Sequence, residues 1–120
     1  TKEIENILKK LKIIFHKTNN LESIISDIDC IYMTRIQDEY DQSGESNLID
    51  YSKYSLSLKN VGKMKENSII LHPLPRRSEI PSEVDNDPRA MYWRQLRNGV
   101  YIRVAILLYI FNVAHKLKEY

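Results

Sequence analysis

The stretch ILHPLPRRSEIP, residues 70–81, decides how this chain can fold. An apolar run, residues 68–71, is followed directly by residues 72–81, HPLPRRSEIP, a segment with three prolines that we call the elbow. Proline lacks a backbone N–H and has a fixed φ, so it cannot continue a strand or occupy a helix interior. The apolar run is therefore predicted to be a buried strand that stops at His72. The rigid segment that follows is expected to have a purpose beyond extending the sheet.

Patterns typical of helices and of strands alternate along the chain. Apolar residues three or four positions apart predict a helix, whereas short β-branched runs predict a strand. The resulting order predicts an α/β fold: a parallel sheet with flanking helices, part of a doubly wound domain, ending in long C-terminal helices. The predicted helices cover residues 4–11, 21–25 and part of 48–64, and the predicted strands cover residues 12–17, 29–33 and 68–71, with 29–33 buried on both faces.

The last third of the chain is predicted to be mainly helical. Asp87 is the candidate N-cap, Pro88 would occupy the first helical position, and Asn98-Gly99 is predicted to break or kink the helix. From Val100 onward the pattern is apolar around nearly the whole circumference, so this helix must be covered on several sides. We therefore expect the chain to be a C-terminal piece of a larger protein that supplies the missing cover.

Composition excludes several classes of function. The 120 residues hold 18 Lys and Arg against 16 Asp and Glu, without the clustered basic face of a nucleic-acid-binding domain. The longest apolar run, residues 104–111, is far shorter than the roughly 20 residues of a membrane span. The single cysteine, Cys30, cannot form an intrachain disulfide; it is predicted to be a small buried hydrophobe in a cytoplasmic protein.

Two polar segments follow predicted strands, where parallel α/β sheets bind their ligands. The first contains Arg35, whose planar guanidinium matches a carboxylate or a phosphate, and Gln37, which adds a neutral donor and acceptor. Together they could recognise a small acid. Pairing of Arg35 with Asp38 or Glu39 explains the same pattern equally well.

The second polar segment is the elbow itself. Pro73 and Pro75 offer no N–H, so the nearby carbonyls have few local partners and could accept hydrogen bonds from an amine or amide. A cis X-Pro bond would explain why so rigid a segment is used, although a plain loop exit is the simpler alternative. His72 fits a structural role better than that of a base. The arginine pair that begins at Arg76 could hold an anion or lie at the surface.

Two motifs and their spacing resemble the aspartate-binding half of aspartate carbamoyltransferase catalytic chains: IYMTRIQ, residues 31–37, and ILHPLPRRSEIPSEVDNDPRAMYWRQLRNGVYIR, residues 70–103. The related ornithine carbamoyltransferases typically have cysteine in place of the first elbow proline, and a Ser-Met-Gly loop. Pro73 and the absence of that loop favour aspartate. The resemblance implies transfer of the carbamoyl group of carbamoyl phosphate to L-aspartate, a step of pyrimidine biosynthesis. It implies no metal or organic cofactor.

The resemblance also implies roles for the two polar segments. Arg35 would bind a carboxylate of L-aspartate, and Gln37 would help to fix the same substrate. The carbonyls around Pro73 and Leu74, with Leu74-Pro75 in cis, would hold the carbamoyl amide of carbamoyl phosphate and the incoming amine. The supporting residues beside them would be His72 and Arg76.

At the level of domains, the resemblance implies that residues 1–98 form part of an L-aspartate-binding domain with a mobile loop at about 38–50. Residues 99–120 would pack on an N-terminal carbamoyl phosphate domain, and the catalytic chains would form a homotrimer. The Ser-Thr-Arg-Thr phosphate motif of the family is absent from these 120 residues, so we expect the chain alone to be inactive. Asp38 and Tyr40 stand where the family usually has basic residues. The intact Arg35, Gln37 and HPLP stretch favour an enzyme, and this departure is the one feature that favours the alternative, a non-catalytic amino-acid-binding or regulatory module of the same ancestry.

Overall fold

The computed structural model describes residues 2–35 and 54–116. Gln37 and the predicted loop at about 38–50 lie outside these residues. The helices are α1 (Lys2–Lys10), α2 (Leu58–Val61) and α3 (Tyr92–Ile110), and the strands are β1 (Cys30–Tyr32) and β2 (Ile69–Leu71). Single 3-10 turns occupy Leu21–Ser23, Ser82–Asn86 and Ala114–Lys116.

The two strands form a parallel sheet, which confirms the predicted α/β class. In the register, Cys30 lies opposite Ile69 and Tyr32 opposite Leu71. The other edge of β2 is also occupied: the Ile70 N–H donates to the Arg89 carbonyl at 2.8 Å, and the Met91 N–H donates to the Ile70 carbonyl at 2.9 Å. β2 is therefore held on both sides, which fixes the point where the elbow begins.

The strand predicted over residues 12–17 is wrong. This segment has no regular secondary structure, and it turns back toward α1, where the Lys17 ammonium meets the Glu5 carboxylate at 3.0 Å. A strand is stable only when a neighbour satisfies its backbone groups. No strand in the described parts of the chain pairs with it.

The hydrophobic core lies on one face of the sheet. Ile31 and Ile70, the middle residues of the two strands, point into it. Successive strand residues face opposite sides, so Cys30 and Tyr32 are exposed and β1 is buried on one face only, contrary to the prediction. Cys30 is therefore not a buried hydrophobe. The buried hydrophobic residues are Ile25, Ile31, Leu56, Val61, Met64, Ile70, Ile80, Val84 and Tyr92.

The helix predicted over residues 21–25 is shorter than expected, whereas α2 lies within the segment that was predicted to be partly helical. The segment over residues 21–25 forms one 3-10 turn, although Ile25 is buried as its apolar spacing suggests. α2 is a single turn; the Ser57 hydroxyl caps it by accepting the Asn60 N–H at 3.2 Å, and Gly62 ends it.

α3 begins at Tyr92 rather than near Asp87, and it is continuous through Asn98-Gly99. The Asp87 carboxylate is already engaged by Arg89, which donates to it from its backbone N–H and its guanidinium at 2.8–2.9 Å. The predicted break is wrong because a glycine inside a long helix costs only about 1 kcal/mol relative to alanine, which the rest of the helix offsets.

The C-terminal part of α3 is largely uncovered, as its all-round apolar pattern suggested. Tyr92 is the only residue of this helix that is buried. Among the described residues no helix is long and apolar enough to cross a membrane. The large exposed side chains near the end of α3 are Val104, Ile106, Leu107, Tyr109 and Ile110, with Phe111 directly after it.

Candidate functional site

The carboxyl ends of β1 and β2 lie side by side. Their register is extended by one hydrogen bond, from the Met33 N–H to the Leu71 carbonyl at 2.9 Å. The two predicted polar segments therefore leave the sheet at the same edge. Between them lies a hollow of about 500 Å³ lined by Thr34, Arg35, Pro73, Leu74 and Pro75. The structure thus brings Arg35 and the elbow together.

The elbow has the backbone geometry that was predicted for it. The Leu74-Pro75 peptide bond is cis. Leu74 itself has a φ of 53°, in the left-handed region that residues with a side chain rarely adopt. A conformation of this kind persists only when surrounding contacts hold it.

His72 supplies one of these contacts. Its ring is fully buried, Nδ1 accepts the Leu74 N–H at 2.8 Å, and Nε2 lies 2.7 Å from Oε1 of Glu79. Burial would raise the pKa of Glu79, but hydrogen bonds from the Arg77 and Glu79 N–H groups and from His72 outweigh it and lower that pKa. The carboxylate is therefore the acceptor and His72 Nε2 the donor.

The Arg76 side chain belongs to a cluster with Asp85, Tyr92 and Trp93. Its guanidinium donates two hydrogen bonds to Asp85 and one, at 3.0 Å, to the Tyr92 hydroxyl, which in turn donates to Asp85. Hydrogen bonding to Arg76 holds the pKa of Asp85 below its usual range. Burial, together with the hydrogen bond to Asp85, raises the pKa of Tyr92 to about 12. The guanidinium also lies 5.6 Å from the centre of the Trp93 ring.

A second hollow, of about 240 Å³, also borders Pro73 and Leu74. Its α3 wall includes Gln95, Gly99 and Arg103, which the sequence motifs did not indicate. Their spacing of four residues, which places side chains on one helix face, was the available signal. The remaining lining residues are Tyr32, His72 and Leu96.

Gln95 connects this wall to both strand ends. Its amide oxygen accepts the His72 N–H at 3.0 Å, and its amide nitrogen donates to the Tyr32 hydroxyl at 3.1 Å. The start of α3 is thereby tied to the residue at which β2 becomes the elbow.

A third hollow, of about 510 Å³, lies away from the strand ends. Amides, hydroxyls and the Glu22 carboxylate line it, without a cationic side chain, so it is a poor site for an anion. Within the described residues no group of three or more potential metal ligands comes together. The hollow with Arg35 therefore fits a small acid best.

Comparison with known proteins agrees with this geometry. The family model for the Asp/Orn binding domain of aspartate/ornithine carbamoyltransferases matches residues 1–110. The chain belongs to this family. The aspartate carbamoyltransferase catalytic subunit of Lachnoclostridium phytofermentans is 38% identical over 109 residues, which are 91% of this chain. The multifunctional protein pyr1-3 of Dictyostelium discoideum is 41% identical over 93 residues, which are 78% of this chain and 4% of that protein.

Solved carbamoyltransferase structures show the same fold. The Trypanosoma cruzi aspartate transcarbamoylase in complex with carbamoyl aspartate and phosphate has a TM-score of 0.73 and 32% sequence identity, covering 88% of this chain and 33% of that one. The present chain spans 36% of the length of the Lachnoclostridium catalytic subunit. It therefore corresponds to about a third of such relatives.

Proposed function

We propose that this chain is the L-aspartate-binding part of an aspartate carbamoyltransferase. The observation that carries the proposal is the hollow at the strand ends, where Arg35 lies beside the Pro73–Pro75 elbow. It offers a cation for a carboxylate and a rigid backbone for an amine within one small space. The Trypanosoma cruzi enzyme, whose structure holds carbamoyl phosphate and aspartate, supports the same ligands for this chain.

The chemistry follows from what these groups can bind. Arg35 would hold a carboxylate of L-aspartate, with Gln37 as an additional partner. Carbonyls of Pro73 and Leu74 would accept N–H hydrogen bonds from the carbamoyl group and the amine. The amine nitrogen then attacks the carbamoyl carbon, the bond from that carbon to the phosphate oxygen breaks, and the amine loses a proton. The chain's contribution is orientation of the reactants.

Aspartate is preferred to ornithine for two reasons. The side chain of L-aspartate adds a second carboxylate, whereas that of ornithine adds an ammonium group, which a site containing Arg35 would repel. The elbow also has Pro73 where ornithine carbamoyltransferases typically have cysteine.

We further propose that the exposed end of α3 packs on a carbamoyl phosphate domain. Side chains such as Leu107 and Phe111 are more than half exposed in this chain, and each large apolar side chain is worth about 1.5–3 kcal/mol when buried. The carbamoyl phosphate domain would also supply the Ser-Thr-Arg-Thr phosphate-binding motif, which these 120 residues do not contain. A homotrimer in the cytoplasm is the proposed assembly and location, in keeping with the family resemblance.

The decisive experiment measures product. A complete enzyme that joins this chain to a carbamoyl phosphate domain is given carbamoyl phosphate with L-aspartate or, as the control, L-ornithine. We expect carbamoyl aspartate and phosphate in equal amounts from aspartate, and little product from ornithine. Preference for ornithine would contradict the proposed substrate.

A non-catalytic module is the second candidate, and the Asp38 and Tyr40 departure from the family pattern favours it. It predicts saturable aspartate binding, measured by calorimetry, with no product after prolonged incubation. That combination would overturn the catalytic proposal.

A further inference from the structure

We propose that His72, held by Glu79, is a positioning residue that fixes the Leu74 backbone for carbamoyl transfer and exchanges no proton with the substrates. The inference rests on the proposed function for its catalytic consequence. His72 is a buried titratable side chain that takes no part in the chemistry proposed above.

The contacts of His72 define its protonation state. An N–H donor, that of Leu74, points at Nδ1 from 2.8 Å, so Nδ1 must present a lone pair. The carboxylate of Glu79, an acceptor, lies 2.7 Å from Nε2, so Nε2 must carry the hydrogen. The ring is thus the neutral tautomer with hydrogen on Nε2.

The Glu79 carboxylate is itself held in place. Both of its oxygens accept the Arg77 N–H at 3.1 Å, and the Glu79 carbonyl accepts the Leu56 N–H at 2.7 Å. Leu56 belongs to the hydrophobic core. Glu79 is therefore anchored to the core through Leu56. It holds the His72 ring in place, and the ring in turn holds the Leu74 N–H.

Leu74 is where such support is needed. Its positive φ is unfavourable for a residue with a side chain, and it lines both hollows at the strand ends. Without the bond from its N–H to His72, the residue can relax to a commoner backbone conformation, which would turn its carbonyl. Because both ring nitrogens are occupied and the ring is fully buried, His72 has no free site for a substrate proton.

Two substitutions in the complete enzyme separate the contacts of His72. Asparagine accepts the N–H of the residue two positions on, in an Asx turn, so His72→Asn preserves the bond to Leu74. His72→Gln reaches toward Glu79 with its amide but loses the acceptor close to the backbone. Misplacement of a reacting group by about 1 Å costs about a hundredfold in rate, so we expect His72→Gln to lower kcat by about ten- to a hundredfold. His72→Asn should retain most of the activity.

Glu79→Gln is the conservative partner variant. Oε1 of Glu79 faces both His72 and the Arg77 N–H, and an amide oxygen at that position can accept both hydrogen bonds, whereas the amide nitrogen replaces the Oε2 acceptor of the Arg77 N–H. We expect this variant to lower kcat less than Glu79→Ala. Glu79→Ala removes both carboxylate acceptors and leaves the His72 ring able to carry its hydrogen on Nδ1, where it no longer accepts the Leu74 N–H. The pH dependence of kcat for His72→Asn should match that of the parent.

A core variant controls for general loss of stability. Ile25 is fully buried and lines none of the three hollows described above, so Ile25→Ala should lower the melting temperature without lowering kcat of the folded enzyme. Equal kcat losses in His72→Asn and His72→Gln, or loss of one limb of the pH profile in both, would overturn the proposal in favour of an acid or base. A His72→Gln enzyme with the melting temperature of Ile25→Ala and parental kcat would make the histidine merely structural. Absence of carbamoyl transfer in the unmodified enzyme would instead refute the proposed function.

Discussion

Removal of the Arg76–Asp85 ion pair, which anchors the elbow, is expected to lower the free energy of unfolding. The side chains of Arg76 and Asp85 are only 17% and 28% exposed and share two hydrogen bonds. Charge-assisted hydrogen bonds are worth about 1.5–3 kcal/mol, and exposed ion pairs about 0.2–1 kcal/mol. A partly buried pair lies between these limits, so we expect a coupling energy of about 1–2 kcal/mol. Arg76→Ala should cost more than this, because the stacking on Tyr92 and Trp93 adds about 0.5–1 kcal/mol.

A double-mutant cycle measures this coupling directly. The free energy of unfolding in urea is determined for the parent, Arg76→Ala, Asp85→Ala and the double variant. Fluorescence of Trp93, the only tryptophan of the 120 residues, reports on the cluster itself because its ring packs edge-on against Tyr92. The pair Lys65–Asp29, at 2.7 Å but with side chains 45% and 87% exposed, is the matched control. A coupling energy for Arg76–Asp85 no larger than that of the control would refute the reasoning.

Three further predictions concern pH and association. Arg76 lowers the folded-state pKa of Asp85. The contribution of Asp85 to stability is therefore fully present above its unfolded pKa, near 3.8, and is lost as the pH falls through the folded pKa. Acid unfolding should begin at higher pH in Arg76→Ala than in the parent, and identical acid titrations of the two proteins would contradict this. The folded-state pKa of Tyr92 is raised from 10.0 to about 12, so the stability that Tyr92 contributes is present below pH 10 and is lost as the pH rises to about 12. In urea titrations, Tyr92→Phe should therefore lose less stability than the parent between these two pH values. An equal decrease in the free energy of unfolding of the two proteins would contradict this. The isolated chain should self-associate or bind hydrophobic dyes through the exposed end of α3, seen by light scattering and dye fluorescence, and a dye-silent monomer would show that the helix needs no cover.

Local sequence pattern predicted both strands of the sheet, the cis elbow and the first helix. The strand at 68–71 was recognisable because its apolar run ends at a proline-containing segment that cannot continue it, and the strand at 29–33 was recognisable from its short run of apolar residues. The cis bond at Leu74-Pro75 followed from the paired prolines together with the family resemblance. The apolar spacing in the first helix was sufficient for α1.

Elements that depend on distant partners were predicted less well. Residues 12–17 have strand composition, but no neighbouring strand pairs with them in the described residues. Cys30 lies on a strand whose second face is uncovered, which sequence periodicity could not show for so short a run. Asp87 has the right residue type for an N-cap, yet its carboxylate binds Arg89 instead.

The site was predictable in its motifs and less so in its supporting contacts. Arg35 and the elbow were identified because they combine unusual residue types with strand ends. The wall formed by Gln95 and Arg103 was missed, since a four-residue spacing on a long helix is common and gains meaning only when the helix is placed against the elbow. Sequence also could not reveal that Arg76 would be engaged by Asp85.

The most direct test of the central claim is steady-state kinetics of Arg35→Ala in the complete enzyme, with each substrate varied in turn. A lost charge-assisted contact to a carboxylate is worth about 1.5–3 kcal/mol, or about ten- to a hundredfold. We expect kcat/KM for L-aspartate to fall by this factor, while the affinity for carbamoyl phosphate, measured without aspartate, changes little. Arg35→Lys, which keeps the charge but loses the planar fork, should fall between parent and alanine variant. Equal losses for both substrates would show that Arg35 is structural and would contradict the account.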